Sequence, residues 1–148
     1  MKLLIRDARE SDLPQLLSLE QACFSVPWTE QMLRSQLAPG QGIFLAAEAD
    51  GELAGYAGAQ YVMDEGYISN VAVAPSRRRC GVADALLDAL EARAAALGLA
   101  FLTLEVREGN APARALYAKH GYRDVGRRKN YYEKPREDAI LMTKERGE

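Results

Sequence analysis

The stretch Val71-Ala72-Val73-Ala74-Pro75-Ser76-Arg77-Arg78-Arg79-Cys80-Gly81-Val82-Ala83 constrains the fold more than any other part of the chain. An apolar run stopped by a proline, three arginines and a glycine that opens an apolar-faced segment predict a buried strand, a basic turn and a helix. A helix begins with backbone N–H groups that have no partner inside it. Its dipole puts positive charge at the same end, so the turn is suited to an anion. The arginines add charge and paired hydrogen bonds that match phosphate. The glycine spacing is not that of a Walker loop, and Gly-x-Gly-x-x-Gly is absent. On this window alone, a solvated arginine cluster capping a crossover is an equally good reading.

The rest of the chain extends the pattern. Leu3 to Ala8 reads as a strand. Ser11 is placed to cap a helix with Pro14 in its first turn and Leu13, Leu16, Leu17, Leu19 and Ala22 along one side. Pro27 breaks the chain, and Thr29 caps a second helix carrying Met32, Leu33 and Leu37. Strands follow at Ile43 to Glu48 and Leu53 to Val62, joined by the hairpin signal Asp50-Gly51. Tyr67 to Val73 is the strand that enters the basic turn. The helix Gly81 to Leu97 carries Ala83, Leu86, Leu87, Leu90, Ala94 and Leu97 on one face and Asp84, Asp88 and Glu91 on a wet face, with Gly98 as its stop. Phe101 to Arg107 is a strand, Asn110 caps a helix from Pro112 to His120, and Gly121 ends it. Tyr122 to Arg128 and Glu137 to Lys144 are the last strands. This order is α/β, a mixed central β-sheet flanked by helices, and 148 residues without repeat or linker fit one domain over 1–148.

Composition excludes several classes. No apolar run reaches the roughly 18 residues of a membrane helix. Charge enters at Lys2, Arg6 and Asp7, too early for a secretory signal. Cys23 and Cys80 make neither a disulfide framework nor a metal motif, which points to a reducing cytoplasm and no metal. A net charge of −2 and a pI near 5.6 speak against direct nucleic-acid binding.

Within Phe101–Arg107, Leu102, Leu104 and Val106 face one way and Thr103, Glu105 and Arg107 the other. That puts a carboxylate in mid-strand. A carboxylate held beside apolar neighbours takes up a proton near neutral pH, which suits a general base. Tyr117, in the next helix, has a phenol that stays protonated at neutral pH, with a pKa of about 10 against about 8.5 for a thiol, and can donate to a developing thiolate. A half-exposed strand and a core aromatic are the plainer readings of the same residues.

Taken together, these windows resemble one family. Arg78-x-x-Gly81-x-Ala83 matches the acyl-CoA pyrophosphate loop of the GNAT acyl-CoA N-acyltransferase superfamily. Phe24-Ser25-Val26-Pro27-Trp28-Thr29-Glu30, Asn70-Val71-Ala72-Val73, Leu104-Glu105-Val106-Arg107 with Asn110, Ala115-Leu116-Tyr117 with Gly121-Tyr122, Arg128-Lys129-Asn130-Tyr131-Tyr132 and Glu137 to Met142 are similar to the RimI group within it. These are bacterial enzymes that acetylate the N-terminal alanine of a ribosomal protein. The resemblance implies the GNAT fold, acetyl-CoA as cosubstrate and a ribosomal protein N-terminus as partner. It implies Glu105 as general base and Tyr117 as general acid. Val71, Ala72 and Val73 would bond the acetyl-pantetheine arm through strand edge groups. Arg78, Arg79, Cys80, Gly81, Val82, Ala83 and Asp84 would cradle the pyrophosphate, and Asn110 would contact the CoA arm. Trp28, Tyr131 and Tyr132 would lie near the peptide. Arg78 stands where glutamine is common, and Ala83 where glycine is common.

Other residues have plainer roles. His120, the only histidine, suits the negative end of a helix dipole. Cys80 lies at the pyrophosphate end, remote from a thioester, and Cys23 falls on an apolar face. Trp28 also serves as an anchor for the second helix. Arg127-Arg128-Lys129 reads as a solvated turn that helps steer phosphates. Two further functions stay open. A small-amine acetyltransferase would close its pocket with acids from the second helix, where Thr29 to Gly40 offers only Glu30. A non-catalytic acyl-CoA- or RNA-binding module would need neither Glu105 nor Tyr117.

Overall fold

A computed structural model describes residues 2–40 and 42–146. Strands β1 (Leu3–Asp7), β2 (Ile43–Ala49), β3 (Glu52–Val62), β4 (Glu65–Val73), β5 (Phe101–Arg107), β6 (Arg123–Tyr132) and β7 (Glu137–Glu145) form one sheet in the order β1-β2-β3-β4-β5-β7-β6. Four helices flank it: α1 (Leu13–Cys23), α2 (Glu30–Leu37), α3 (Val82–Ala96) and α4 (Ala111–Lys119). Only β4 and β5 pair parallel; every other neighbouring pair is antiparallel. The sheet is mixed, as expected for the α/β class.

Small residues in β2 and β3 let helices cover both faces. Leu86, Leu87 and Leu90 of α3 pack with Leu45 and Ala57 on one side. Leu16 of α1 and Leu33 of α2 pack with Phe44 and Tyr56 on the other. The hairpin between β2 and β3 turns through Asp50 and Gly51 with φ of 53° and 85°, the pair of positive values that an Asp-Gly turn supplies.

Two expectations are corrected. Ser11 does not cap α1. It lies in a 3₁₀ turn, Glu10–Asp12, and Asp12 precedes the helix without capping it. The Asp12 carboxylate instead accepts Arg6 Nη1 and Nη2 at 2.8 Å each and the Arg9 backbone N–H at 2.9 Å. The last turn before β7 begins later than expected, because β6 continues to Tyr132 and takes Arg127-Arg128-Lys129 into the strand. The acids of α3 lie on the outer face as expected, with Asp88 exposed, and two of them are paired. Glu91 meets Lys144 at 2.7 Å, and Asp84 meets Lys119 at 2.6 Å. Thr29 caps α2 as expected, accepting the Met32 N–H at 3.2 Å.

The feature that makes the site is a split between β4 and β5. Their parallel pairing covers only Glu65–Phe101, Gly66–Leu102 and Tyr67–Thr103. Gly66 permits this close approach, since a Cβ there would sit 2.7 Å from the Leu102 side chain. Past Tyr67, β4 stays with β3 and β5 with β7, so the sheet opens at the C-terminal ends of its two parallel strands, where α/β sheets place ligands. Within the opening, β4 carries one extra residue at Ser69, because Gly58 pairs with Asn70 and Ala59 with Ile68.

Candidate active site

The split holds a cavity of about 620 Å³. It brings together Trp28, Val71, Glu105, Asn110, Tyr117, Tyr131 and Tyr132 from five separate parts of the chain. Ala72, Val73 and the turn from Arg78 to Asp84 continue β4 away from this lining.

Glu105 lies on β5 with the alternation expected: Leu102, Leu104 and Val106 are buried and their neighbours half-buried. Its side chain is 8% exposed. Its surroundings differ from the apolar ones expected. The Tyr67 hydroxyl donates to Oε2 at 2.9 Å, the carboxylate raises the pKa of the nearby Tyr131 phenol, and Arg128 Nε lies 3.6 Å from Oε1. Burial, then the Glu105 bond, pushes the Tyr67 phenol far above its ordinary pKa, so Tyr67 is held as a donor. Tyr117 is both core and cavity wall. It is 7% exposed and meets Tyr122 edge to face at 5.7 Å, and burial raises its pKa strongly.

The basic turn is open. Gly81 precedes α3 with φ 81°, no side chain caps the helix, and a Cβ at Gly81 would have nothing within 4 Å. Arg78, Arg79 and Cys80 are exposed around it, while Val82 roots the helix in the core. Uncapped N–H groups flanked by guanidinium groups fit a pyrophosphate. Arg77 is diverted to Asp50 at 3.4 Å, and the Asp84 carboxylate to Lys119 and His120, which hold its pKa below the ordinary range. The Val73 carbonyl accepts the Cys23 thiol at 3.3 Å. Asn110 caps α4, accepting the Ala113 N–H at 3.2 Å, and still lines the cavity.

On the outer side, Tyr131 and Tyr132 stack edge to face at 5.1 Å. Burial pushes the Tyr132 phenol up to about 12. Sequence reasoning assigned no role to Arg107, which braces this wall. Its guanidinium lies 4.5 Å from the Tyr132 ring centre, donates to the Glu133 carbonyl at 2.8 Å and the Pro135 carbonyl at 2.9 Å, and reaches Ser25 at 3.4 Å. Its place beside Glu105 on one face of β5 was the only signal. Trp28 packs with the α1–α2 core as well as lining the cavity. Glu30 pairs with Arg34 on the surface of α2.

Two basic features are corrected. Arg127 does not steer phosphates from a turn; Glu108 and Asp138 neutralise it at 2.7 and 2.8 Å. His120 does end α4, but its side chain, 10% exposed, is set by Asp84 2.8 Å from Nε2. Among the described residues no group of His, Cys, Asp and Glu could hold a metal, and no helix is long and apolar enough to cross a membrane.

A model of the acetyltransferase (GNAT) family matches residues 13–122. The chain is 37% identical over 140 residues to the [ribosomal protein bS18]-alanine N-acetyltransferase of Escherichia coli, covering 93% of this chain and 94% of that one. With the enzyme of the same name from Haemophilus influenzae it shares 35% over 142 residues, covering 94% and 96%. The crystal structure of the Escherichia coli ribosomal-protein-S18-alanine N-acetyltransferase superposes with a TM-score of 0.90 at 35% identity, covering 96% of this chain and 92% of that one. Ard1 from Thermoplasma volcanium superposes at 0.88 with 25% identity, covering 97% of each.

Proposed function

We propose that this chain, which belongs to the GNAT acetyltransferase family, transfers the acetyl group of acetyl-CoA to the α-amine of a ribosomal protein's N-terminal alanine. Family and relatives make it an acetyl-CoA-dependent N-acetyltransferase; the substrate and the residue roles are our reading. The observation that carries it is the split between β4 and β5, which puts Glu105 and Tyr117 on the walls of one cavity.

In this reading the pyrophosphate lies on the N–H groups from Gly81 to Asp84, between Arg78 and Arg79. The pantetheine arm follows the unpaired edge of β4 at Val71–Val73, and Asn110 borders it. The peptide enters between Trp28 and the Tyr131–Tyr132 wall. Glu105 drains a proton from the α-ammonium, whose pKa is about 8, directly or through a water. The neutral amine attacks the thioester carbon, and a backbone N–H of Val71–Val73 meets the oxyanion. Tyr117 donates to the departing sulfur. Its raised pKa makes complete proton transfer to a thiolate uphill, so its main contribution is a hydrogen bond as the C–S bond breaks. Most of the acceleration comes from holding the two reactants together. With no metal or nucleic acid needed, the two unpaired cysteines suit work in a reducing cytoplasm.

Incubation with labelled acetyl-CoA and peptides beginning with Ala, Ser, Met or Gly tests the proposal. A peptide beginning with Ala is acetylated at its N-terminus. The same peptide with a blocked N-terminus and an internal lysine is not. Mass spectrometry placing the label mainly on lysine, or spermidine outpacing every peptide, overturns it.

A further inference from the structure

The mechanism above leaves one buried acid unused. Glu20, in the last turn of α1, is 1% exposed and lines the same cavity. Its Oε1 accepts the Trp28 backbone N–H at 2.6 Å. Its Oε2 accepts the Tyr56 hydroxyl and Asn70 Nδ2, the latter at 3.1 Å. Asn70 Nδ2 also lies 3.0 Å from the Tyr56 oxygen. One carboxylate thus joins α1, the loop before α2, β3 and β4 just past its extra residue.

The network settles which way the Asn70 amide faces. The Asn70 NH₂ faces both Glu20 Oε2 and the Tyr56 oxygen, and against the ionised carboxylate a flipped amide would set two acceptors together. That leaves Asn70 Oδ1 without a protein donor among the described residues, on a half-buried side chain that lines the cavity. Resting on the proposed α-amine substrate, we infer that Glu20 is a positioning residue that locks the Asn70 amide so that its carbonyl oxygen accepts an N–H of the bound peptide. The same carboxylate holds Trp28 at the other edge of that peptide's path.

The test reverses the hydrogen-bond polarity. In Glu20→Gln, Oε1 still accepts the Trp28 N–H, but Nε2 now faces the Asn70 NH₂ and forces that amide to flip. The peptide KM rises about fivefold to tenfold, the worth of one hydrogen bond, while the acetyl-CoA KM and kcat hold. The double variant Glu20→Gln with Asn70→Asp restores an acceptor on both sides of residue 70, and the KM returns toward wild type. Asn70→Asp alone sets two carboxylates together and is worse than the double variant. The Tyr56 hydroxyl, donor or acceptor, follows either arrangement. A Glu20→Gln peptide KM equal to wild type, or a double variant no better than Glu20→Gln, overturns the inference. If wild type acetylates no peptide α-amine, the proposed function fails and the lock is read by nuclear magnetic resonance. The Asn70 side-chain amide protons shift and lose protection in Glu20→Gln if the lock exists, and unchanged signals disprove it.

Discussion

Glu105 accepts the Tyr67 hydroxyl at 2.9 Å and has Arg128 Nε 3.6 Å from its other oxygen. As the base of the proposed mechanism it would work by location, taking its proton where the amine meets the thioester. Glu105→Gln lowers kcat by about 10²–10⁴ at neutral pH. Its deficit shrinks as pH rises past the ammonium pKa of about 8, because the amine then arrives already neutral. A pH-independent deficit would show that Glu105 does something other than accept that proton. Glu105 could be found in the sequence because strand alternation is local: residues two apart share a face. Tyr67, Arg107 and Glu20 could not, because their partners lie far along the chain. The Tyr67 bond spans 38 residues, the Arg107 bond to Glu133 spans 26, and the Glu20 bond to Asn70 spans 50. Nothing within a few residues of any of them announces the contact.

Among the elements, caps and stops were legible where one residue sets them, through its side chain at Thr29 and Asn110 and through a positive φ at Gly98 and Gly121. Ser11 failed because a stronger bond won: Asp12 is taken by Arg6, and α1 is fastened to β1 by an ion pair rather than by a cap. Arg6 N–H donation chiefly holds the Asp12 carboxyl below its ordinary pKa. A lowered folded-state pKa contributes stability that is complete above the unfolded value of about 3.9 and is lost as pH falls through the folded value. Asp12→Asn therefore costs about 1.5–3 kcal/mol at pH 7 and progressively less below about pH 4, which denaturant melts across that range will read. The N-terminus of α3 gives a second expectation. Gly81→Val forces a β-branched residue to φ 81° at a strain of roughly 1–3 kcal/mol and crowds the open N–H groups. Gly81→Asn, which tolerates that φ, keeps more of the melting temperature. Calorimetry shows acetyl-CoA binding weakened in Gly81→Val; undiminished binding there would place the pyrophosphate elsewhere.

At the scale of the whole molecule, the mixed sheet was readable from element order, but the split between β4 and β5 was not. The split depends on where parallel pairing stops, and that is set by Gly66, by the extra residue at Ser69 and by β7 inserting beside β5, three facts that no single window contains. The split also divides the site into two ends that are tested apart. The α3 turn follows the C-terminal end of β4 and does not line the Glu105 cavity, so the proposed function gives cofactor binding and catalysis to different elements. A ligand that binds only the folded chain at about 100 times its Kd adds about 2.7 kcal/mol, or about 5–10 °C in melting temperature for a chain of this size. Acetyl-CoA should produce that shift in the wild type and in Glu105→Gln alike, because in the proposed mechanism the carboxylate meets the amine and not the phosphates. Gly81→Val should lose most of the shift while Glu105 stands unaltered. If Glu105→Gln also lost the shift, the carboxylate would be part of the cofactor site and the division of labour along β4 would be wrong. If neither variant lost it, the anion would not lie on α3 at all.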